Sequence, residues 1–344
     1  MKKKALFIGG TGTISTAITA RLANDAGWEL TLLNRGSHSN EVPAGVRQIR
    51  ADIADEADVA RKLEGLQWDC VCDFIGFTPD QVERDWRLFR GRTAQYMYIS
   101  SASAYQKPPQ SPFITEQTPL ENPFWEYSRN KIACEEFLFG KWREEGFPVT
   151  VIRPSHTYGD RSVPVGVHGD KGSWQVLKRM LEGKTVPVAA DGETLWTMTT
   201  SEDFAVYFCG LCGNSQAIGE AYHITSDESI PWNEAYRIIA EHLGVEFKPC
   251  YVPAHLLARV RQYDYNGALL GDKTNSVIFD NSKVMCATGI PPIHFTPYRE
   301  GAKRSIDYIL SHPELQKEDP AFDAFCDRVE AAMNAAAELL LEEK

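Results

Sequence analysis

The sequence predicts an α/β fold in which a doubly wound parallel sheet carries helices on both faces, with a smaller C-terminal substrate lobe. Three observations lead there. Over roughly the first 160 residues, short apolar runs alternate with helix-like segments. The runs are apolar on both sides, as strands covered on both faces must be. A glycine-rich turn joins the first run to the first helix.

KALFIGG reads as the first strand and TISTAITARLANDAG as the first helix, ending at Gly27. The lysines before that strand do not open a signal sequence, because Gly9, Gly10 and Gly12 interrupt the apolar run far short of an h-region. ELTLLNRG and the strand-like GVRQIR follow, then EADVARKLEG as a helix and DCVCDFIGF as a strand. PDQVERDWRLFRG is helical and AQYMYISS a strand. NPFWEYSRNKIACEEFLF is a helix with Pro123 in its first turn; Ala133 with Phe137, and Cys134 with Leu138, serve its buried side. PVTVIRPS closes this part of the sheet.

Beyond residue 160 the pattern loosens. GDRSVPVGVHGDKGS reads as a loop, WQVLKRMLEG as a helix, TVPVAADG as a strand, SEDFAVYFCGLCG as a helix, AYHITS as a strand and WNEAYRIIAEHLG as a helix, with an Ala/Glu-rich amphipathic helix at the end. The expected division is a dinucleotide-binding domain over residues 1–160, rejoined by residues 195–227, and a lobe built mainly from residues 161–194 and 228–344.

A chain of 344 residues with 43% hydrophobic content is long enough for one large core and a second lobe. The net charge of −11 gives no basic footprint, which argues against a nucleic-acid partner. No run approaches the ~18 apolar residues of a membrane span, so a soluble cytoplasmic protein is expected. The eight cysteines are scattered through apolar stretches and read as reduced thiols. Cys209 and Cys212 form a CxxC, but Cys70 and Cys72 are read as pointing to opposite faces of a strand, so no metal is expected.

FIGGTGTIS sits between strand and helix, where glycines have a mechanical reason. Gly9 permits a tight turn, Gly12 lets the backbone approach a pyrophosphate, and the N–H groups opening the helix, at Thr13 and Ile14, bind anions. Ser15 takes the third glycine position, which governs helix packing and tolerates a small side chain. This is the phosphate loop of a Rossmann fold. Asn34 and Arg35 end the second strand, where an acidic residue would repel a 2′-phosphate and an arginine can pair with one, so NADP is expected over NAD. Arg35 stacked on the adenine of NAD is the alternative. Asp52, with Ile53 beside it, follows the third strand-like run; its carboxylate can take the adenine amino group or cap a helix.

Tyr127 and Lys131 stand four residues apart in a helical segment and share one face. Together GGTGTIS, YISSASAY at 98–105, YSRNK at 127–131 and VIRPSHTYG at 151–159 resemble the extended short-chain dehydrogenase/reductase superfamily, of the NAD-dependent epimerase/dehydratase type. The resemblance implies that Ser101, Tyr127 and Lys131 are catalytic, and that Gly76 and Pro154 join the loop residues, Tyr127 and Lys131 at the cofactor. A free phenol has a pKa near ~10, and a neighbouring ammonium and nicotinium favour the phenolate that takes a substrate proton. The resemblance also implies a homodimer paired through the helix that carries Tyr127.

Two departures bear on the reaction. Dehydratases of this type carry an Asp–Glu pair after the catalytic serine; here those positions are Ala102 and Ser103, so elimination of water lacks its acid. Where nucleotide-sugar members place an arginine for the diphosphate, this chain has Trp196, which can stack on a sugar ring. Phe77, Ser103, Tyr105, His156, Tyr158, His168, Trp174 and Trp196 are the candidate substrate contacts. The expected activity is nicotinamide-dependent epimerisation of a secondary alcohol on a sugar or sugar-like substrate through a transient ketone. NADP-dependent alcohol/ketone oxidoreduction is the alternative, and a regulatory or RNA-associated protein is the reading from another class.

Overall fold

Ala5, Leu6, Phe7 and Ile8 are all fully buried, although neighbours on a strand face opposite ways. The computed structural model, which describes residues 2–36 and 42–341, shows why. Ala5 and Phe7 face one apolar layer together with Ile18, Leu22, Phe204 and Phe208. Leu6 and Ile8 face another with Val59, Val82, Cys134 and Leu138. Each large side chain so buried contributes roughly 1.5–3 kcal/mol, so the double hydrophobic pattern is what commits this strand to the sheet centre.

The chain runs β1 (Lys3–Ile8), α1 (Thr13–Ala23), β2 (Trp28–Asn34), β3 (Arg47–Arg50), α2 (Glu56–Lys62), β4 (Cys70–Asp73), α3 (Pro79–Phe89) and β5 (Tyr96–Ile99). A short β6 (Phe113–Ile114) precedes the long α4 (Glu126–Glu145), followed by β7 (Val149–Pro154) and β8 (His156–Tyr158). Then come α5 (Trp174–Leu181), β9 (Val186–Ala189), β10 (Leu195–Thr200), α6 (Ser201–Leu211), β11 (Ala221–Ile224), β12 (Ser229–Pro231) and α7 (Trp232–Leu243). Seven strands make a parallel sheet in the order β11-β7-β5-β4-β1-β2-β3. The order reverses between β1 and β4, and such a switch point opens a crevice at the strands' carboxyl ends. α1 and α6 cover one face; α2, α3 and α4 cover the other.

A second core, with Trp196, Trp232, Tyr236, Tyr298 and Phe322, fills the C-terminal lobe. β10 pairs parallel with β8 and antiparallel with β12. This small sheet escapes a sequence reading because its strands find their partners only through the tertiary fold. A π-helical stretch, Asn266–Lys273, packs on the loop before α4. Gly267 and Gly271 allow it: a Cβ on Gly267 would run into the Trp125 ring.

Two local expectations change. α4 begins at Glu126, with Trp125 as its N-cap, so Pro123 precedes the helix; the Asn122 carboxamide oxygen accepts from the N–H groups of Phe124 and Trp125, both at 3.2 Å, and turns the chain in. Cys70 and Cys72 do not point to opposite faces. Residues two apart on a strand share a face, and their thiols lie 3.6 Å apart. With Cys212 they form a buried group of three thiols within 4.8 Å of one another. Cys209, the other half of the CxxC, sends its thiol towards the Ile18 carbonyl instead, at 4.0 Å. Among the described residues, no helix is long and apolar enough to cross a membrane.

Candidate active site

The carboxyl ends of six strands open into one cleft of about 860 Å³. β1 delivers Gly9, Gly12, Thr13 and Ile14; β2 and β3 deliver Asn34, Arg35, Asp52 and Ile53. Phe77 follows β4, Ser101 and Ser103 follow β5, and Pro154 and His156 follow or end β7. Tyr127 and Lys131 project from α4, and Trp196 from β10.

Gly9 and Gly10 adopt φ of +99° and +103°, which L side chains rarely reach. A Cβ on Gly10 would also lie 2.8 Å from a Leu32 methyl. Gly10 is thus as necessary to the turn as Gly9, a requirement the sequence pattern did not reveal. The Ser15 hydroxyl accepts from the Gly12 N–H at 2.9 Å, so the residue in the third glycine position caps the helix start from within. The loop therefore presents backbone to the cleft, where an anion can meet N–H groups.

Asn34 turns its side-chain oxygen to the Gly36 N–H at 3.1 Å. Arg35 is exposed at the cleft's edge. Asp52 accepts from the Ala54 N–H at 3.0 Å and so shapes the turn before α2, whose N-cap is Asp55.

Lys131 is 2% exposed and is anchored by the carbonyls of Gly76 at 2.7 Å and Ile99 at 2.6 Å. Its ammonium lies 4.8 Å from the Phe77 and Tyr98 rings and 5.7 Å from the Tyr127 ring. Burial pushes its pKa down to about 8, against the pull of Asp73, the Cys134 thiol and Glu135. The Tyr127 phenol pKa is raised, first by burial and also by the Asp272 carboxylate, while the neighbouring Ser101 hydroxyl pulls it down. Ser101 is held by Ser103, whose hydroxyl lies 2.8 Å away and itself accepts from Ser128 at 2.7 Å.

Behind these residues, Glu135 binds Arg153 through its Nε at 3.0 Å and its Nη2 at 2.6 Å, and accepts from Ser100.

Several expected substrate contacts lie elsewhere. Tyr105 is fully buried, with its hydroxyl 3.0 Å from His223 Nδ1 and its ring beneath Arg153. Trp174 packs against the lobe core, and Tyr158 is buried against Tyr298. His168 is tied by Nδ1 to the Gly169 carbonyl at 2.8 Å. Trp196 borders the cleft, but its ring stacks on Trp232 at 5.8 Å and its N–H reaches His156 Nδ1 at 3.4 Å. The face stacked on Trp232 cannot also take a sugar ring. Burial, then the Lys273 charge, brings the His156 pKa down to about 3, so its imidazole is neutral at physiological pH. Gly76 contributes its carbonyl rather than surface.

At the same end, Lys107, Trp125, Asp272 and Lys273 border the cleft. No motif singled them out. Lys107 sits in an irregular loop, and the approach of residues 272 and 273 depends on Gly267 and Gly271 in a lobe whose docking is not written in any local pattern.

Residues 5–225 match the model of the NAD dependent epimerase/dehydratase family. The chain belongs to that family. A curated relative, 3beta-hydroxysteroid-dehydrogenase/decarboxylase isoform 2 of Arabidopsis thaliana, is 25% identical over 225 residues, 57% of this chain and only 38% of that protein. The structure resembles an epimerase from Methanothermobacter thermautotrophicus, with a TM-score of 0.72 at 19% identity over 92% of this chain and 94% of that one. It also resembles UDP-glucuronic acid 4-epimerase from Bacillus cereus, with a TM-score of 0.71 at 17% identity over 90% of this chain and 99% of that one. These likenesses establish the fold.

The expectation of NADP is overturned. The family model is NAD dependent, and the Bacillus cereus enzyme holds NAD. The physical reason is that a single exposed arginine does not select a 2′-phosphate; a guanidinium at the cleft edge stacks equally well on an adenine.

Proposed function

We propose that this protein is a NAD-dependent epimerase that inverts a secondary alcohol of a sugar or sugar-like substrate through a transient ketone. The observation that supports it is that Ser101, Tyr127 and Lys131 line one cleft together, placed where it passes from the glycine loop to the pocket under the C-terminal lobe. The cleft suits the dinucleotide: Gly9 and Gly10 hold a turn that only glycines adopt without strain, and Lys131 lies buried between loop and phenol. In this reading Gly9, Gly12, Thr13 and Ile14 hold the pyrophosphate, Asp52 and Ile53 border the adenosine, and Lys131 and Pro154 border the nicotinamide half.

When bound, the nicotinamide supplies a reversible hydride acceptor. Tyr127 takes the hydroxyl proton as the carbinol is oxidised and returns it when the ketone is reduced from its other face. Ser101 donates to the phenol oxygen and steadies the substrate oxygen. Lys131 holds a positive charge beneath the phenol and favours its ionised form. Epimerisation requires that the cofactor be reoxidised in place. Ala102 and Ser103 provide no carboxylic acid beside Ser101, so inversion fits this site better than elimination of water. The reading includes a homodimer through α4, which sedimentation as a monomer at micromolar concentration would contradict.

The test is to denature the purified protein and identify the released dinucleotide by mass spectrometry. Near-stoichiometric NAD is expected. A site that is empty yet reduces added NAD with an alcohol would make the protein a dissociating oxidoreductase instead. Tyr127→Phe should retain NAD and lose turnover by about 10²–10⁴-fold.

A further inference from the structure

Lys107 is 3% exposed and borders the cleft, yet among the described residues no acceptor lies within hydrogen-bonding distance of its ammonium. The side chain is buried along its length while its ammonium opens only to the cleft, and proteins pair such charges or reserve them for a ligand. Two other charges meet it at this end of the cleft. Lys273 is 8% exposed, with only two long bonds to the Val165 and Gly166 carbonyls, both 3.3 Å. Asp272 is half-buried, and among the described residues its carboxylate takes no hydrogen bond. Its charge acts on both lysines without closing an ion pair with either.

Two ammonium groups and one carboxylate leave one positive charge uncompensated in a recess walled by Trp125, Trp196, Val277 and Phe279. The low-dielectric walls strengthen the field that the excess charge projects into the cleft. The Thr157 hydroxyl, buried and without a partner, borders the same cleft. Asp272 also acts electrostatically on Tyr127, so the charged recess adjoins the reacting oxygen rather than some remote surface.

We propose that the substrate carries an anionic group, a carboxylate or a phosphate, that docks between Lys107 and Lys273 while its alcohol meets Tyr127. This rests on the epimerase reading and adds the chemical class of the substrate. The same geometry gives Asp272 a defined part. It repels the anion, so it limits affinity and leaves room for the ketone to turn and present its other face.

The experiment titrates the NAD-saturated protein with sodium acetate, with inorganic phosphate and with glucose as neutral control, by calorimetry. One of the two anions should bind in the millimolar range and glucose should not; whichever anion binds tells carboxylate from phosphate. Lys107→Met should weaken that anion by at least about tenfold without lowering the melting temperature, since it removes a charge that nothing in the protein satisfies. Asp272→Asn should tighten it, a change of opposite sign that a merely structural role does not produce. Absence of binding by either anion, or binding that Lys107→Met and Asp272→Asn leave unchanged, overturns the proposal. Failure of the epimerase reading shows separately, as a denatured protein that releases no dinucleotide and a native protein that gives no heat with added NAD; the anion titrations then run on the protein alone, where the Lys107→Met difference still reports on this recess.

Discussion

Glu135 stands one turn beyond Lys131 on α4 and is 1% exposed. Its carboxylate accepts from Arg153 Nε at 3.0 and 3.2 Å and from Nη2 at 2.6 Å, and also from the Ser100 hydroxyl. Arg153, on β7, is 4% exposed, and its guanidinium lies over the Tyr105 ring at 5.0 Å. This pair fastens the helix that bears Tyr127 and Lys131 to the sheet. Replacing Glu135 with Gln keeps the shape and leaves the guanidinium buried without its counter-charge, which costs about 3–5 kcal/mol. Against a total stability of about 5–15 kcal/mol, such a loss is readily measured. Arg153→Met should cost a similar amount. Removing both with Glu135→Leu and Arg153→Met should cost less than the sum, with a coupling of about 2 kcal/mol or more. Urea unfolding of the four proteins, with midpoints and slopes fitted together, closes the cycle. Single losses below about 1 kcal/mol, or additivity within about 0.5 kcal/mol, would refute the reasoning.

The Lys131 pKa, lowered to about 8 chiefly by burial, separates function from stability. Activity that needs the ammonium should fall as pH rises through about 8, and Glu135→Gln should move that limb to lower pH by removing a carboxylate that supports the charge. The stability sign is opposite: between about 8 and the ordinary lysine value of 10.5 the unfolded lysine binds the proton that the folded one has lost, so the protein without NAD gains stability as pH rises there. Thermal melts across that range, beside a pH–rate profile, read both. Gly10→Ala introduces a side chain at φ +103° and 2.8 Å from Leu32; it should cost about 1–3 kcal/mol and weaken NAD, and unchanged melting would show that the turn relaxes freely.

What could be read in advance follows the range of the forces involved. The phosphate loop and the Tyr127/Lys131 spacing are local, because a strand, a turn and a helix fix them within a few residues. The double-sided apolar strands are local too, and they gave the sheet. Cys70 and Cys72 were misplaced although the pattern was sufficient, since residues two apart on a strand share a face and meet at 3.6 Å. Tyr105 was expected among the substrate contacts, but the buried Arg153–Glu135 pair and His223 set the polar environment that holds it in the core.

The substrate end depends on forces that no window of sequence contains. Lys107 joins Asp272 and Lys273 only because Gly267 and Gly271 lack side chains and let the π-helical segment settle on Trp125 and Asn122, whose carboxamide donates to the Gly271 carbonyl at 2.7 Å. The chain before α4 is therefore held from two sides. Asn122 also donates to the Ser103 carbonyl at 2.8 Å, and Ser103 positions Ser101. One side chain thus ties the lobe that shapes the charged recess to the loop that presents the reacting hydroxyls, so a displacement of the lobe is felt at Ser101 and at the approach to Tyr127 together.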